Sequence, residues 1–422
     1  SKFGPDTTII DLNGGDFIDF ENGEDNSSKV IGLTIQNSNS GAIRVSESNP
    51  GIENCIFLSN ENNQNGGAIN IEGWSGERII NISNSLFVEN SIQSGTSNRG
   101  GAIMLGGDGN NAYVENCVFY MNSADEMGGA INQDNSSNLV IVNSLFLNNS
   151  TNSSWGAGGV NSFAAMSGGS ATIINSIFLG NTNTSGSSEE GIYSSNGFSI
   201  DVDHCVLQST NSEAFDWGEN YNFDPFINDT ANGDFSLNDF SLAIGRGIHE
   251  YYDPISGNDM MVPETDLLGN SRSQPEGSNP DLGPIEHELA SYRRAVYYVD
   301  DANGDDEAPG LTIATAVKSI ANALIKSSNR DTLELAAGTY SGADNRNLNM
   351  DGLTRIIRTS SGPASTIIDC ENQGPAFVFD TDEPDSVHIS GLTIINGSSE
   401  NGGAISIDGA APVFENMIFR DN

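Results

Sequence analysis

An all-β solenoid, a right-handed parallel β-helix of about 30 residues per coil, is the fold class that three observations in this sequence predict. First, a four-residue phrase recurs as Asn54-Cys55-Ile56-Phe57, Asn84-Ser85-Leu86-Phe87, Asn116-Cys117-Val118-Phe119, Asn143-Ser144-Leu145-Phe146 and Asn175-Ser176-Ile177-Phe178, with His204-Cys205-Val206-Leu207 as a degraded sixth copy. From Phe57 to Leu207, five steps span 150 residues, so the period averages 30. Second, the copies alternate with Gly66-Gly67-Ala68-Ile69, Gly100-Gly101-Ala102-Ile103, Gly128-Gly129-Ala130-Ile131 and the weaker Gly158-Gly159-Val160. Third, runs such as "GGAINIEG", "ERIINISNS" and "NLVIVNSLF" gather β-branched residues over short spans bounded by Gly, Asn and Ser, the mark of short strands and turns.

In a stack of coils each position lies on its counterpart about 4.8 Å away. Asn54, Asn84, Asn116, Asn143 and Asn175 are then bend residues that tolerate a left-handed backbone and bond from coil to coil through their amides. Phe57, Phe87, Phe119, Phe146 and Phe178 form an interior aromatic column. Each Phe is followed three places later by another asparagine, Asn60, Asn90, Asn122, Asn149 and Asn181. The Gly pair opens backbone angles needed at a sharp corner. These residues read as architecture.

A longer repeat overlies the short one. "GPDTTIID" at 4–11 returns as "GPASTIID" at 362–369, "GLTIQN" at 32 returns as "GLTIIN" at 391, and Phe57 returns as Phe419. The offset drifts only from 358 to 362, which predicts tandem units of roughly 360 residues, cut in mid-helix at both ends. On this reading residues 1–222 are coils of a first unit and 223–290 its irregular closing module. Residues 291–297, with Arg293 and Arg294, are a linker. Residues 298–340 are the capping strand and helix of a second unit, and 341–422 its first coils. One short helix per unit is predicted: Ile313, Val317, Ile320 and Leu324 share a face with Ala316 and Ala323, Thr312 is the N-cap, and Ser-Ser-Asn at 327–329 ends it. Its role is to cover the open end of the coils.

Composition narrows function. The 422 residues carry 57 acids against 16 bases, a formal charge of −41, so nucleic acid is excluded as a partner. Between Arg99 and Arg246 there is no Lys or Arg at all. No apolar run is long enough to cross a bilayer, so no membrane insertion is expected. No signal peptide opens the sequence, which fits a portion of something longer.

Over residues 40–181 the alternation of GGAI with FxxN resembles the repeats of the chlamydial polymorphic membrane proteins, which are surface adhesins. "YVDDANGDD…ATAVKSIANAL…DTLELAAGTY" is similar to the N-terminal start of many secreted bacterial β-helix proteins. "FSLNDFSLAIGRG…TDLLGNSR…PDLGPIE" is similar to their closing segment, with Gly245-Arg246-Gly247 where an acidic turn is common. These resemblances imply an extracellular or cell-surface bacterial location.

Catalysis is not expected. A lyase of this fold class needs a cationic base beside calcium-binding carboxylates, and Arg44 and Arg78 lack a clustered Asp pattern. The Gly-His-Gly of the polygalacturonase type and a GxSxG nucleophile motif are both missing. His204, His249, His287 and His388 have no ligand spacing. Cys55 and Cys117 share a coil slot two steps apart, about 9.6 Å, beyond the reach of a disulfide. That slot holds Ser85, Ser144 and Ser176 elsewhere, so it selects small residues, and Cys205 and Cys370 add no framework. Calcium is the cofactor candidate, although none is required: "DDANGDDE" places Asp301, Asn303 and Asp305 at alternate positions around Gly304, as in the first half of an EF-hand loop. Trp74 and Trp155 follow coil corners. The expected function is a structural and adhesive tandem-repeat segment of a large secreted surface protein or filament. Its partners are neighbouring copies of the unit, other identical chains, and a host, prey or surface glycan. The alternative is a carbohydrate-binding or polysaccharide-degrading β-helix.

Overall fold

The computed structural model describes residues 4–73, 76–92, 98–153, 156–163, 169–184, 191–194, 198–207, 216–217, 219–291, 294–328, 330–380 and 387–422. Trp74, Trp155, Arg293 and Asn329 lie outside them. Contacts divide the chain into two compact units, residues 1–292 and 293–422, the division falling in the stretch read as a linker.

Unit 1 is a parallel β-solenoid. Sheet 1 is built from Lys29–Ile31, Gly51–Glu53, Arg78–Ser83, Asn110–Glu115, Asn138–Val142, Ser170–Ile174, Ser199–Asp203 and Asp216–Trp217. Sheet 2 holds Ile9–Asp11, Thr34–Gln36 and then the phrase strands Ile56–Leu58, Leu86–Val88, Val118–Tyr120, Leu145–Leu147, Ile177–Leu179 and Val206–Leu207. Two-residue strands from Glu61–Asn62 to Thr182–Asn183 make a short sheet 3. Sheet 4 runs from Ile18–Phe20 through Ile43–Ser46, Ile69–Glu72, Ile103–Leu105, Ile131–Asp134 and Val160–Phe163 to Ile192–Ser194. A full coil therefore has four strands, and the left-handed residue just before each FxxN asparagine, Ser59, Glu89, Met121, Asn148 or Gly180, bends the chain between sheets 2 and 3.

Register explains the recurring letters. Phe57, Phe87, Phe119, Phe146 and Phe178 are direct partners on adjacent strands and point inward, each at most 1% exposed. In Arg78–Ser83, alternate residues Ile80 and Ile82 enter the core while Ile79 faces out, the period-two signature of a strand. The corner glycines do two different jobs. Gly100 has φ 72°, the left-handed region. Gly101 needs space instead of angle: a Cβ there would lie 2.0 Å from the carbonyl oxygen of Gly129 on the next coil.

The segment after residue 222 runs along the side of the stack. The outward residues Val118, Leu145, Ile177 and Val206 of sheet 2 are buried beneath Phe235, Leu237, Ala243, Ile244, Leu282 and Ile285. Val140, Val142 and Ile174 of sheet 1 lie beneath Tyr251 and Val262, from the antiparallel hairpin Glu250–Asp253 and Asn258–Met261. The closing module thus covers an apolar flank, which explains why strands in this part of the chain are apolar on both faces.

Unit 2 is a shorter solenoid with sheets of five, four and three parallel strands, beginning at Val296–Val299, Gly338–Tyr340 and Leu348–Asn349. The helix expected from Thr312 onward is corrected. Thr312 caps only a 3-10 turn, Ile313–Thr315, and the α-helix is Ile320–Lys326 with Ser319 as its N-cap. Val317 breaks the run because it pairs as a parallel bridge with Val299, leaving Ile313 77% exposed. Ile320, Ala323 and Leu324 are the buried face, and Arg355 closes the far end by donating to the carbonyls of Leu324 and Ser327 at 3.0 and 3.1 Å.

Candidate functional site

The features that recur most regularly in unit 1 are interior columns. Neighbouring Phe rings stack with centroids 4.6–4.9 Å apart and planes within 7°. Beside them runs an amide ladder, and its members are Asn60, Asn90, Asn122, Asn149 and Asn181. Asn122 is typical: its Nδ2 donates to Asn149 Oδ1 and to the Phe87 carbonyl, both at 2.9 Å. Its Oδ1 accepts from the backbone and side chain of Asn90, both at 3.0 Å. All four hydrogen-bonding sites of a fully buried amide are used.

This corrects the ladder assigned to the bend asparagines. Asn54, Asn84, Asn116, Asn143 and Asn175 do take the left-handed conformation, with φ of 49–51°. Their side chains join turn to turn only at Asn116 Nδ2 to Asn84 Oδ1, 3.0 Å. At the coil corner two of them, Asn116 and Asn175, meet the closing module instead. Asn116 donates to the Thr265 carbonyl at 2.8 Å, Asn175 pairs with both the N–H and the carbonyl of Ile248 at 2.9 Å, and the amide of Asn143 is buried without a partner.

The Cys/Ser slot has a chemical requirement as well as a size limit. Ser144 Oγ donates to the Val142 carbonyl at 3.0 Å and accepts the Cys117 N–H at 3.1 Å, and Ser176 and Cys205 continue the pattern. The four cysteines are unpaired and buried, and burial pushes the Cys117 thiol up to about 12. Ser144→Ala should therefore cost about 1–3 kcal/mol, an orphaned buried N–H, while Ser144→Cys is tolerated. Urea denaturation distinguishes the two, and equal midpoints would remove the hydrogen-bonding role.

On the outside, bases are consumed as staples between turns. On the solvent face of sheet 4, Arg44 lies 2.7 Å from Glu72, 3.3 Å from Glu21 and 3.6 Å from Asp19. Arg78 bridges Glu47 and Asn110. Arg99 reaches Asp134 at 2.9 Å and lies 4.9 Å over the Phe163 ring, while Asn132 donates to Asp134 at 2.7 Å and accepts from Asn161 at 2.8 Å. Burial holds the Asp134 carboxyl above its usual range, with Arg99 pulling it back. The clustered acids judged missing beside Arg44 are thus supplied by neighbouring coils. Arg99 was overlooked, and its signal was position: it occupies the residue before Gly-Gly that Asn65 and Met127 fill in adjacent turns.

A buried polar knot fastens the closing module. Arg272 donates to Glu286 at 3.1 Å, Asn116 at 2.8 Å and the Gly283 carbonyl at 3.0 Å. Glu286 also accepts from the backbone N–H groups of Ser273, Gln274 and Asp281, and its own N–H donates to Asp266. Asp281 accepts from Gly245 and His287, both at 2.6 Å. The motif "TDLLGNSR…PDLGPIE" is this knot. Burial, reinforced by Glu286, pushes Asp281 up to about 7 despite those two bonds and Arg272. A carboxyl raised in the folded state favours folding while it stays protonated. Stability from this group should be full below its unfolded value near 4 and be lost as pH rises through about 7. Thermal melts from pH 5 to 8.5 should show that decline in the wild type and a flatter profile in Asp281→Asn.

The calcium candidate lies in the turn before the 3-10 segment of unit 2. Asn303 turns its amide to Asp300 at 3.0 Å, and Asp305 accepts the Glu307 N–H at 3.1 Å. Among the described residues no three His, Cys, Asp or Glu side chains converge on a point able to hold a metal ion. Asp301, Asn303 and Asp305, the residues expected to hold calcium, thus sit in a turn braced by its own side chains. The histidines remain scattered: His204 lies 2.7 Å from Asp203, His287 3.2 Å from Asp239 and His388 3.3 Å from Glu415. No helix among the described residues is long and apolar enough to cross a membrane.

No protein-family model matches the chain, and no curated protein matches it. Its likeness to the chlamydial repeats therefore rests on the motifs alone. Among solved structures it is similar to a PL6 family alginate lyase, AlyGC, at 14% identity and a TM-score of 0.21. The likeness covers 97% of this chain and 61% of the lyase, so the chain spans about three fifths of that protein's length. At that level it assigns neither activity nor substrate.

Proposed function

We propose that the chain is a structural and adhesive β-solenoid segment of a large secreted bacterial surface protein, built from tandem units. The observation that carries this reading is the set of continuous columns in unit 1. From Phe57 to Phe178 and from Asn60 to Asn181, every coil is tied to the next through identical side chains as well as backbone ladders. Such a stack resists bending and extension without any bound group. The bases of sheet 4 are committed to carboxylates on adjacent turns, which fits a surface that stays soluble and strengthens its own stack.

The tandem arrangement is supported by matching local structure in the two repeated segments. Thr34 Oγ1 donates to the Pro5 carbonyl at 2.9 Å, and Thr393 Oγ1 to that of Pro363 at 2.5 Å. Asn37 donates to Asp11 at 3.2 Å, and Asn396 to Asp369 at 2.8 Å. Sequence and hydrogen bonding repeat together.

A polysaccharide-binding or polysaccharide-degrading role is the second reading, favoured by Arg99, Asp134, Asn132 and Phe163 gathering on one sheet face. Electron microscopy of the intact parent protein decides between them. Filaments or rods with an axial repeat of one unit support the structural role. Compact particles without such a repeat overturn it, and cleavage of a polysaccharide by the purified chain would establish the second reading.

A further inference from the structure

Arg246 breaks the pattern of committed bases. Among the described residues of unit 1, Lys29, Arg44, Arg78, Arg99 and Arg272 each lie within 4.0 Å of a carboxylate, and Arg246 does not. Its guanidinium carbon instead lies 4.9 Å from the Tyr221 ring centroid and 5.8 Å from that of Phe223, and the two rings are 5.6 Å apart. His204 approaches Tyr221 edge-on at 6.3 Å. The imidazole is oriented by Asp203 at 2.7 Å on Nδ1, while Nε2 has only the loose approach of Glu219, at 3.8 Å and 79% exposed. All four side chains are partly open to solvent.

The turn that carries Arg246 is fixed on both sides. Gly245 has φ 67° and donates to the buried Asp281 at 2.6 Å, and Gly247 donates to the Pro280 carbonyl at 2.7 Å. The arginine is therefore placed by the backbone, at the edge of the last coil, where Val206 bridges to Tyr221. A guanidinium lying over two aromatic rings, with the Tyr221 hydroxyl taking part of its hydrogen bonding, still has N–H donors to offer a planar acceptor, and a carboxylate matches that fork. Aromatic rings and a polar imidazole beside it suit the C–H and hydroxyl groups of a sugar ring.

We propose that Arg246, Tyr221, Phe223 and His204 form a binding site for one carboxylate-bearing sugar residue, a uronate, beside the last coil of unit 1. Asp203, Glu219 and the acidic surface around it limit the site to a single carboxylate, since a polyanion would meet repulsion on either side. This goes beyond the structural role and stands independently of it.

The test is a calorimetric titration of the full chain at about 0.15 M salt with methyl galacturonide and with methyl galactoside, its neutral counterpart. The uronide should bind with a Kd of about 1 mM and the galactoside at least about tenfold more weakly. Arg246→Gln should abolish that preference, Arg246→Lys should retain part of it, and Arg44→Gln should leave it unchanged. Circular dichroism establishes that each variant is folded, and the lysine variant keeps the test valid if the glutamine one is not. Equal affinity for the two sugars, no binding of the uronide, or an undiminished preference in Arg246→Gln would overturn the proposal. So would self-association of the wild type that Arg246→Gln abolishes without any uronide effect, which would assign the arginine to a carboxylate of a second copy.

Discussion

Glu286→Gln is expected to destabilise unit 1 by about 3–5 kcal/mol, the usual consequence of breaking a buried ion pair. The Glu286 side chain is fully buried and accepts from four donors: Arg272 at 3.1 Å and the N–H groups of Ser273, Gln274 and Asp281 at 2.9–3.2 Å. A glutamine would turn an N–H₂ group toward other donors and leave Arg272 without its counter-charge. Because the knot ties residues 266–286 to Asn116 of the coils, loosening it should free the flank. Urea denaturation should show a lower midpoint, and hydrogen exchange should rise first over 235–290, together with binding of a hydrophobic dye to the uncovered Val118, Leu145 and Ile177. A shift smaller than about 1 kcal/mol, or exchange spread evenly over the coils, would show that apolar contacts alone hold the module. The double variant Arg272→Met with Glu286→Leu should recover much of the loss, since it buries no uncompensated charge.

Such a knot could not be read from spacing. Its members Asp266, Arg272, Asp281 and Glu286 looked like a polar, turn-rich stretch, and their burial depends on an apolar flank contributed by residues 118–206. By contrast the coil columns were legible, because a stack converts sequence period directly into spatial neighbours. Phe57 and Phe87 must meet once the coil closes at 30 residues. Which asparagine forms the ladder was less legible. Both Asn116 and Asn122 recur with the same period, and the choice depends on whether the side chain turns into the coil or out at its corner. Arg99 was missed because its partner Asp134 lies 35 residues ahead, on the next coil. The helix was extended too far because Ile313, Val317 and Ile320 satisfy a helical period, while Val317 is claimed by a bridge to Val299.

Phe119→Ala should be nearly as damaging, by about 3–5 kcal/mol, but its effect should have a different shape. Phe119 is fully buried between Phe87 at 4.7 Å and Phe146 at 4.6 Å, so truncation opens a cavity with a stacked ring on either side. The same change at Phe178 should cost less, since its ring stacks on Phe146 but meets Leu207 on the other side. In a solenoid each turn contacts mainly its neighbours, so the loss is communicated along the column and not through a central core. Amide exchange should therefore rise at Asn90, Asn122 and Asn149, whose side chains donate to the Phe57, Phe87 and Phe119 carbonyls, before it rises at Asn60. Uniform loss of protection across all coils would mean that unit 1 unfolds as one cooperative block. Graded loss centred on the substitution would mean that the stack yields turn by turn, the behaviour that lets a load-bearing segment absorb local damage without coming apart.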